Sequence, residues 1–261
     1  MEASTQATWQ VVGASVVGTS HLHMTPPRPC EDAHGWRQLP QHALALAVAD
    51  GAGSAARSAQ GAQEAVTLVL DAAAQLLAQH DSPDTPAMWM NALDAIITTV
   101  QDGLARIVES PWHLGDYATT LVLAIVTQRW IAALHVGDGA IITRQRDGTL
   151  AAMTWPRNGE FFNETTFITQ SVALAHTQCV VQPRGTIRDI ALLTDGIEMI
   201  ALQLAEKVPS APFFTGLFDF ARRPEPIAVK SQELAAFLQS QRVNDRTDDD
   251  KSVLLAVEVD P

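Results

Sequence analysis

The hydrophobic period of the chain changes several times along its length. From Trp9 the run WQVVGASVVG is rich in β-branched residues and predicts a first strand. A Pro-rich stretch, HMTPPRPCEDAHGW (23–36), follows and predicts a loop. Next, ALALAVADG predicts a short strand in which Leu44, Leu46, Val48 and Asp50 share one face. Ala43, Ala45, Ala47 and Ala49 line the other face, small enough for a helix or a second sheet to approach closely. Asp50 therefore points to the side of the leucines, an odd place for a surface acid.

The period then becomes helical. From about Ser54 to Gln79, apolar residues at Ala62, Ala65, Val66, Val69, Leu70, Ala73, Leu76 and Leu77 mark one helix face. From about Pro86 to Glu109, Trp89, Leu93, Ile96, Ile97, Val100, Leu104 and Ile107 mark a second, with Asp84 or Thr85 as cap and Pro86 in its first turn. Strands follow closely in YATTLVLAIVT, RWIAALHVGDG, AIITRQRDG and TLAAMTW, separated by turns at Gln128-Arg129, Asp138-Gly139 and Asp147-Gly148. A further strand, TIRDIALLTDG, precedes two helical stretches near Pro212–Ala221 and Ser231–Gln241, and SVLLAVEV is the last strand. This order does not alternate strand and helix, which argues against a parallel doubly wound sheet. The expectation is an α+β fold, a four-layer α-β-β-α sandwich of two central antiparallel sheets flanked by helices, with 1–261 as one domain.

Composition narrows the function classes. An apolar content of 47% makes the chain globular. No apolar run reaches the ~18 residues of a membrane span, so no membrane partner is expected. A net charge of −12 argues against a nucleic-acid surface, which needs clustered Lys and Arg. Two cysteines, Cys30 and Cys179, are no disulfide framework and fit a reducing, cytoplasmic setting.

The acids are placed unevenly. Asp50-Gly51 and Asp195-Gly196 end strands, Asp138-Gly139 follows one, Asp249 precedes one, and Glu31 and Asp32 sit together in the CEDAH loop. Taken singly, an Asp-Gly pair is a common turn dipeptide, Asp195 is a plausible helix cap, and TDDDK (247–251) is a solvated loop. Taken together they form an all-oxygen set suited to hard cations such as magnesium or manganese. Carboxylates gathered at one sheet edge repel, and cations offset that repulsion. Two such ions ~3.5–4 Å apart make a site for hydrolysing phosphate esters. No D-x-D-x-D-G stretch supports a calcium EF-hand.

In order, CEDA (30–33), VADGAGSA (48–55), YATTL (117–121), HVGDGA (135–140), LLTDGI (192–197) and DDKSVLLAV (249–257) resemble the motifs of the metal-dependent serine/threonine protein phosphatases of type 2C. GEFFNETTF (159–167) resembles a signature of a bacterial subgroup, and GTSH (18–21) fits a pattern of the same subgroup. The resemblance implies direct hydrolysis of phosphoserine and phosphothreonine in proteins by a metal-activated water, with a cognate kinase or its targets as partners. It implies two divalent cations, manganese or magnesium, bridged by Asp50 and held by the Gly51 carbonyl, Asp195 and Asp249. Asp32 and Glu31 would lie in the first or second shell, and Asp138 would help hold a third, weaker ion. Asp250 stands where the family usually has Asn and is not expected as a primary ligand.

Two positions depart from the pattern. The Arg that grips phosphate in many members is replaced by Pro27, which leaves Arg28 and His21 as candidates for phosphate contact, with His21 also a proton donor. The His that follows the Asp-Gly in better-known members is Ala52. The competing readings are a non-catalytic module that binds a phosphoprotein or kinase, and a hydrolase of small phosphoesters. A cysteine phosphatase is excluded, because neither cysteine opens a C-x5-R loop.

Overall fold

The computed structural model describes residues 8–78, 83–156 and 165–259. In chain order the elements are β1 (Thr8–Val16), α1 (Thr19–Leu22), β2 (Asp32–Gln38), β3 (Leu44–Asp50), α2 (Ser58–Ala78), α3 (Pro86–Arg106), β4 (Leu121–Val126), β5 (Trp130–Val136), β6 (Ala140–Gln145) and β7 (Leu150–Thr154). They continue with α4 (Ala173–His176), β8 (Gln178–Pro183), β9 (Ile187–Leu193), α5 (Glu198–Ala201), β10 (Leu202–Gln203), β11 (Val208–Pro209), α6 (Ala211–Ala221), α7 (Ile227–Leu238), α8 (Gln241–Asn244) and β12 (Lys251–Val259). One five-stranded sheet has the order β1-β12-β9-β6-β7 and the other β2-β3-β4-β5-β8, each antiparallel throughout.

The two sheets face each other, and helices cover their outer faces, as the order of elements predicts. The alternation along each strand builds three apolar layers. Leu44, Leu46 and Val48 of β3 meet Ile190, Leu192 and Leu254 of the opposite sheet in the middle layer. The other face of β3 (Ala45, Ala47 and Ala49) packs with Ala62, Ala65 and Val66 of α2, so the small residues admit a helix. On the far side, Val253, Leu255 and Val257 of β12 pack with Phe214 and Phe218 of α6 and Leu234 of α7. Thr85 caps α3, its Oγ1 accepting the Met88 N–H at 3.3 Å, with Pro86 in the first turn where a missing N–H costs nothing.

Three stretches differ from the sequence expectation. Part of the Pro-rich loop is β2, an edge strand whose DAHGWRQ pattern has little apolar alternation to reveal it. QCVVQP forms β8, the other edge of the same sheet, masked by its glutamines. Helix α7 begins at Ile227, before the expected Ser231, directly after Pro226.

Register brings the acidic strand ends to one edge. Asp32 pairs with Asp50 across β2 and β3, and Leu121 with Val136 across β4 and β5. Leu193 pairs with both Ala140 and Val253, so Asp138, Asp195 and Asp249 leave their strands at the same end. Val16 opposite Lys251 delivers α1 to that end as well. The alanine face of β3 sets the height of α2 above the sheet. Ala47→Leu is therefore expected to destabilise the protein by about 1–3 kcal/mol in urea unfolding, the usual cost of overpacking. A neutral result would show that α2 does not rest on that face.

Candidate metal centre

Backbone contacts fix Asp50 first. Its N–H donates to Thr120 Oγ1 at 2.9 Å, and its carbonyl accepts from Thr119 Oγ1 at 2.9 Å and from the Thr120 N–H at 2.8 Å. The two threonines of YATTL thus hold the acid rather than reach the solvent. Gly51 follows in a backbone crevice: a Cβ there would lie 2.7 Å from the Ser58 carbonyl and 2.8 Å from the Glu31 carbonyl oxygen. At Gly196 a Cβ would come within 1.8 Å of the Asp250 carbonyl oxygen, so the turn after Asp195 closes only on glycine.

The carboxylates converge as expected from the strand ends. Asp50, Asp138 and Asp195 each present an oxygen within 4.8 Å of the others. They line a pocket of about 240 Å³ with His21, Glu31, Gly51, Asp249 and Asp250. Thr165 Oγ1 donates to Asp138 Oδ2 at 2.6 Å, while Asp138 Oδ1 is buried with no hydrogen-bond partner among the described residues. Thr194 Oγ1 donates to Asp32 Oδ2 at 2.7 Å and accepts the Ser252 N–H at 2.9 Å, tying β9, β2 and β12 together. Asp32 Oδ1 also lacks a partner. Asp249 stands exposed at the rim, its Oδ1 accepting the Asp250 N–H at 2.8 Å.

Electrostatics makes this cluster costly. Burial, and then the neighbouring acids, push the Asp50 carboxyl well above the ordinary range. The same causes, burial first, push Asp195 up to about 8. Asp32 is raised to about 7 by burial, against the Thr194 hydrogen bond that lowers it. Asp138, Asp249 and Glu31 are also raised, each chiefly by burial. Like charges directly opposite across a strand pair, as at Asp32 and Asp50, are destabilising. The residues fit hard cations. The donors are all oxygen, three buried carboxylate oxygens (Glu31 Oε2, Asp32 Oδ1 and Asp138 Oδ1) have no hydrogen-bond partner among the described residues, and positive charge would relieve the mutual repulsion.

Not every expected residue has the expected surroundings. Arg28 is not brought into the pocket. Its guanidinium pairs with Glu31 and donates to the Gly53 carbonyl at 2.6 Å and the Ala55 carbonyl at 3.3 Å. It braces the loop behind Asp50 instead of facing a phosphate. His21 does line the pocket, buried in α1, with Nδ1 3.1 Å from Asp250 Oδ1, misaligned for a hydrogen bond, and Nε2 3.8 Å from Glu31 Oε2. The Asp138 carboxylate, expected to help hold a third ion, belongs to the same cluster as Asp50 and Asp195. Ala52 packs with Ala55, Ala118 and Phe167 in a small apolar cluster beside the site. Of the GEFFNETTF stretch, residues 159–164 lie outside the described residues.

Sequence reasoning missed the part played by Asp250. Its buried carboxylate accepts the Gly18 N–H at 2.6 Å and the Glu31 N–H, joining the start of β12 to α1 and to the acidic loop. Lys251, buried beside it, donates from Nζ to the Asp249 carbonyl at 2.8 Å. A Lys at the head of a strand buried along its length is the signal that was available.

Residues 17–239 match the family model described as Protein phosphatase 2C. Serine/threonine-protein phosphatase 3 of Escherichia coli (strain K12) is 32% identical over 255 residues, covering 95% of this chain and 98% of that protein. The fold is shared with Stp1 of Staphylococcus aureus, a serine/threonine phosphatase (TM-score 0.62, 16% identity, 98% of this chain and 97% of that one). It is also shared with the catalytic domain of the serine threonine protein phosphatase PstP, solved with 2 manganese ions (TM-score 0.59, 19% identity, 98% of this chain and 100% of that one). The chain belongs to the protein phosphatase 2C family.

Proposed function

We propose that the acidic pocket is the catalytic site of a metal-dependent phosphatase that hydrolyses phosphoserine and phosphothreonine in proteins. The observation that carries this reading is the convergence of Asp50, Asp138 and Asp195 within 4.8 Å. Asp50, the Gly51 carbonyl, Asp195 and Asp249 would hold two divalent cations, manganese or magnesium. Asp138, Asp32 and Glu31 would complete the shell directly or through water. When bound, the cations lower the pKa of an attacking water and offset charge on the phosphoryl oxygens. Of the chain's own groups, His21 lines the pocket and would donate a proton to the leaving oxygen, while Asp32, buried with an unpartnered Oδ1, would support the cation shell. A pocket of about 240 Å³ takes a phosphoryl group and a short side chain, leaving the rest of a peptide outside. That size supports a protein substrate over a large phosphometabolite, with a cognate kinase acting on the same proteins. Two unpaired thiols, Cys30 and Cys179, support a reducing, cytoplasmic setting. A non-catalytic phosphoprotein-binding module is the alternative, favoured by the absence of an arginine among the described residues lining the pocket.

Turnover of a phosphothreonine peptide and an aryl phosphate with manganese is expected, with loss on chelation. Asp50→Asn is expected to lower kcat/KM by at least ~100-fold, in line with loss of an electrostatic catalytic group. Full activity in Asp50→Asn would refute the site assignment. Binding of the phosphopeptide without turnover would establish the non-catalytic module. His21→Gln is expected to lower kcat ~10–100-fold with a smaller change in KM. An unchanged kcat would remove His21 from proton transfer.

Stability should respond to pH and metal together. Asp195 and Asp32 have folded-state values near 8 and 7, above the ordinary ~4. Groups raised in this way contribute stability that is full below about pH 4 and lost as pH rises through 7–8. The chelated protein is therefore expected to melt at progressively lower temperature from pH 5.5 to 8.5. Millimolar manganese should restore Tm most at the alkaline end. A chelated Tm that rises across that range would contradict the buried-carboxylate account.

A further inference from the structure

A groove of about 700 Å³ opens between α5, α6, α7 and α8, away from the acidic pocket. Its wall is aromatic: Phe213 of α6 stands edge-on to Phe214 at 5.2 Å and tilts toward Phe237 of α7 at 6.4 Å. Leu217, Leu234 and Val243 close the floor, and Phe237 is 36% exposed. Three arginines, Arg223, Arg242 and Arg246, line it against one acid, Glu233. Among the described residues only Arg223 of the three has an ion-pair partner, Glu233 at 3.7 Å. A basic, aromatic groove is out of character for a chain with 29 acids and 17 bases.

The place of the groove matters as much as its chemistry. It is bordered by the two segments that carry proposed metal ligands. Met199, on its lip, is four residues after Asp195, and Arg246 is three residues before Asp249. A chain spans at most ~3.6 Å per residue, so these lining residues lie within about 14 Å and 11 Å of the two acids. An extended peptide covers that span in about four residues. The pocket itself is strongly acidic and would repel an acidic substrate; the arginines would draw the flanking residues of such a substrate to one side of it.

We infer that this groove is a docking site for the substrate's own flanking segment, a stretch of acidic and large apolar residues a few positions from the phosphorylated Ser or Thr. Acidic residues pair with Arg242 and Arg246, and an apolar side chain enters between Phe213 and Phe237. The inference rests on the proposed phosphatase function of the neighbouring pocket, and it adds what that pocket is too small to supply, a choice among phosphoproteins.

The test compares the full chain with Arg242→Glu/Arg246→Glu and with Phe237→Ser, all at exposed positions, in manganese. The substrates are an aryl phosphate, a phosphothreonine peptide with Gly/Ser flanks, and the same peptide extended by six Glu/Leu/Phe residues on either side. For the wild type, one extension is expected to lower KM about tenfold. Both variants should lose that advantage while their aryl-phosphate kinetics stay unchanged. Equal kcat/KM for plain and extended peptides, or a preference that survives in the variants, would overturn the inference. Fluorescence anisotropy of the unphosphorylated extension reads the groove without turnover, so an inactive enzyme would fault the pocket assignment and leave the docking claim still answerable. Absence of saturable peptide binding, with binding to anionic vesicles or self-association that the double variant abolishes, would assign the groove to a membrane or to a second copy and overturn the inference.

Discussion

Everything at the acidic edge depends on one unfavourable interaction, the mutual repulsion of carboxylates held close together in a half-buried setting. Asp32 and Asp50 are directly paired across two strands, and Asp138 and Asp195 join Asp50 within 4.8 Å. A flexible loop would simply splay these acids apart. Asp50, Asp138 and Asp195 stay together because each ends or follows a strand buried along most of its length, and Asp32 is held by its pairing with Asp50 and by the Thr194 hydroxyl. The middle apolar layer and the two helix-covered layers hold β3, β9 and β12 in register, and that register leaves their ends no freedom to separate. A cation bound there would relieve the repulsion that the core imposes.

The polar residues around the acids serve the same end. Thr119 and Thr120 hold the Asp50 backbone, Thr194 links three strands through one hydroxyl, and Asp250 uses both oxygens on backbone N–H groups of α1 and the acidic loop. These positions fix the backbone and side chains of the clustered acids, the usual division between a site and its supporting shell. The departures at Pro27 and Ala52 fall outside this supporting set. Arg28, one residue along, is committed to the loop behind Asp50, so no guanidinium is among the described residues that line the pocket.

The strands that matter most for the site were legible because burial on both faces leaves near-continuous apolar runs, as in LALAVA and SVLLAV. The acids at their ends stood out as breaks in those runs. Strands β2 and β8 were not legible, because their residues are largely half-buried or exposed and their polar side chains erase the alternation. The roles of Arg28 and Asp250 were hidden for a different reason. Both are decided by partners far along the chain or across a turn, such as Gly18 for Asp250 and Gly53 for Arg28, and no local pattern encodes such a partner.

The same argument orders the two faces of the molecule's chemistry. A cluster of like charges in a small pocket recognises a phosphoryl group through metal, and every phosphoprotein offers the same group. Discrimination must therefore come from surface that the pocket does not include. Segments that extend from the metal-bearing strand ends are the natural place for it, since their position is fixed by the same register. Helices α5 and α8 are those segments, directly following Asp195 and preceding Asp249, and both border the basic aromatic groove. A contact that shifted α5 or α8 would act on a carboxylate only a few residues away, so substrate selection in the proposed groove and alignment of the proposed metal ligands would share one piece of backbone.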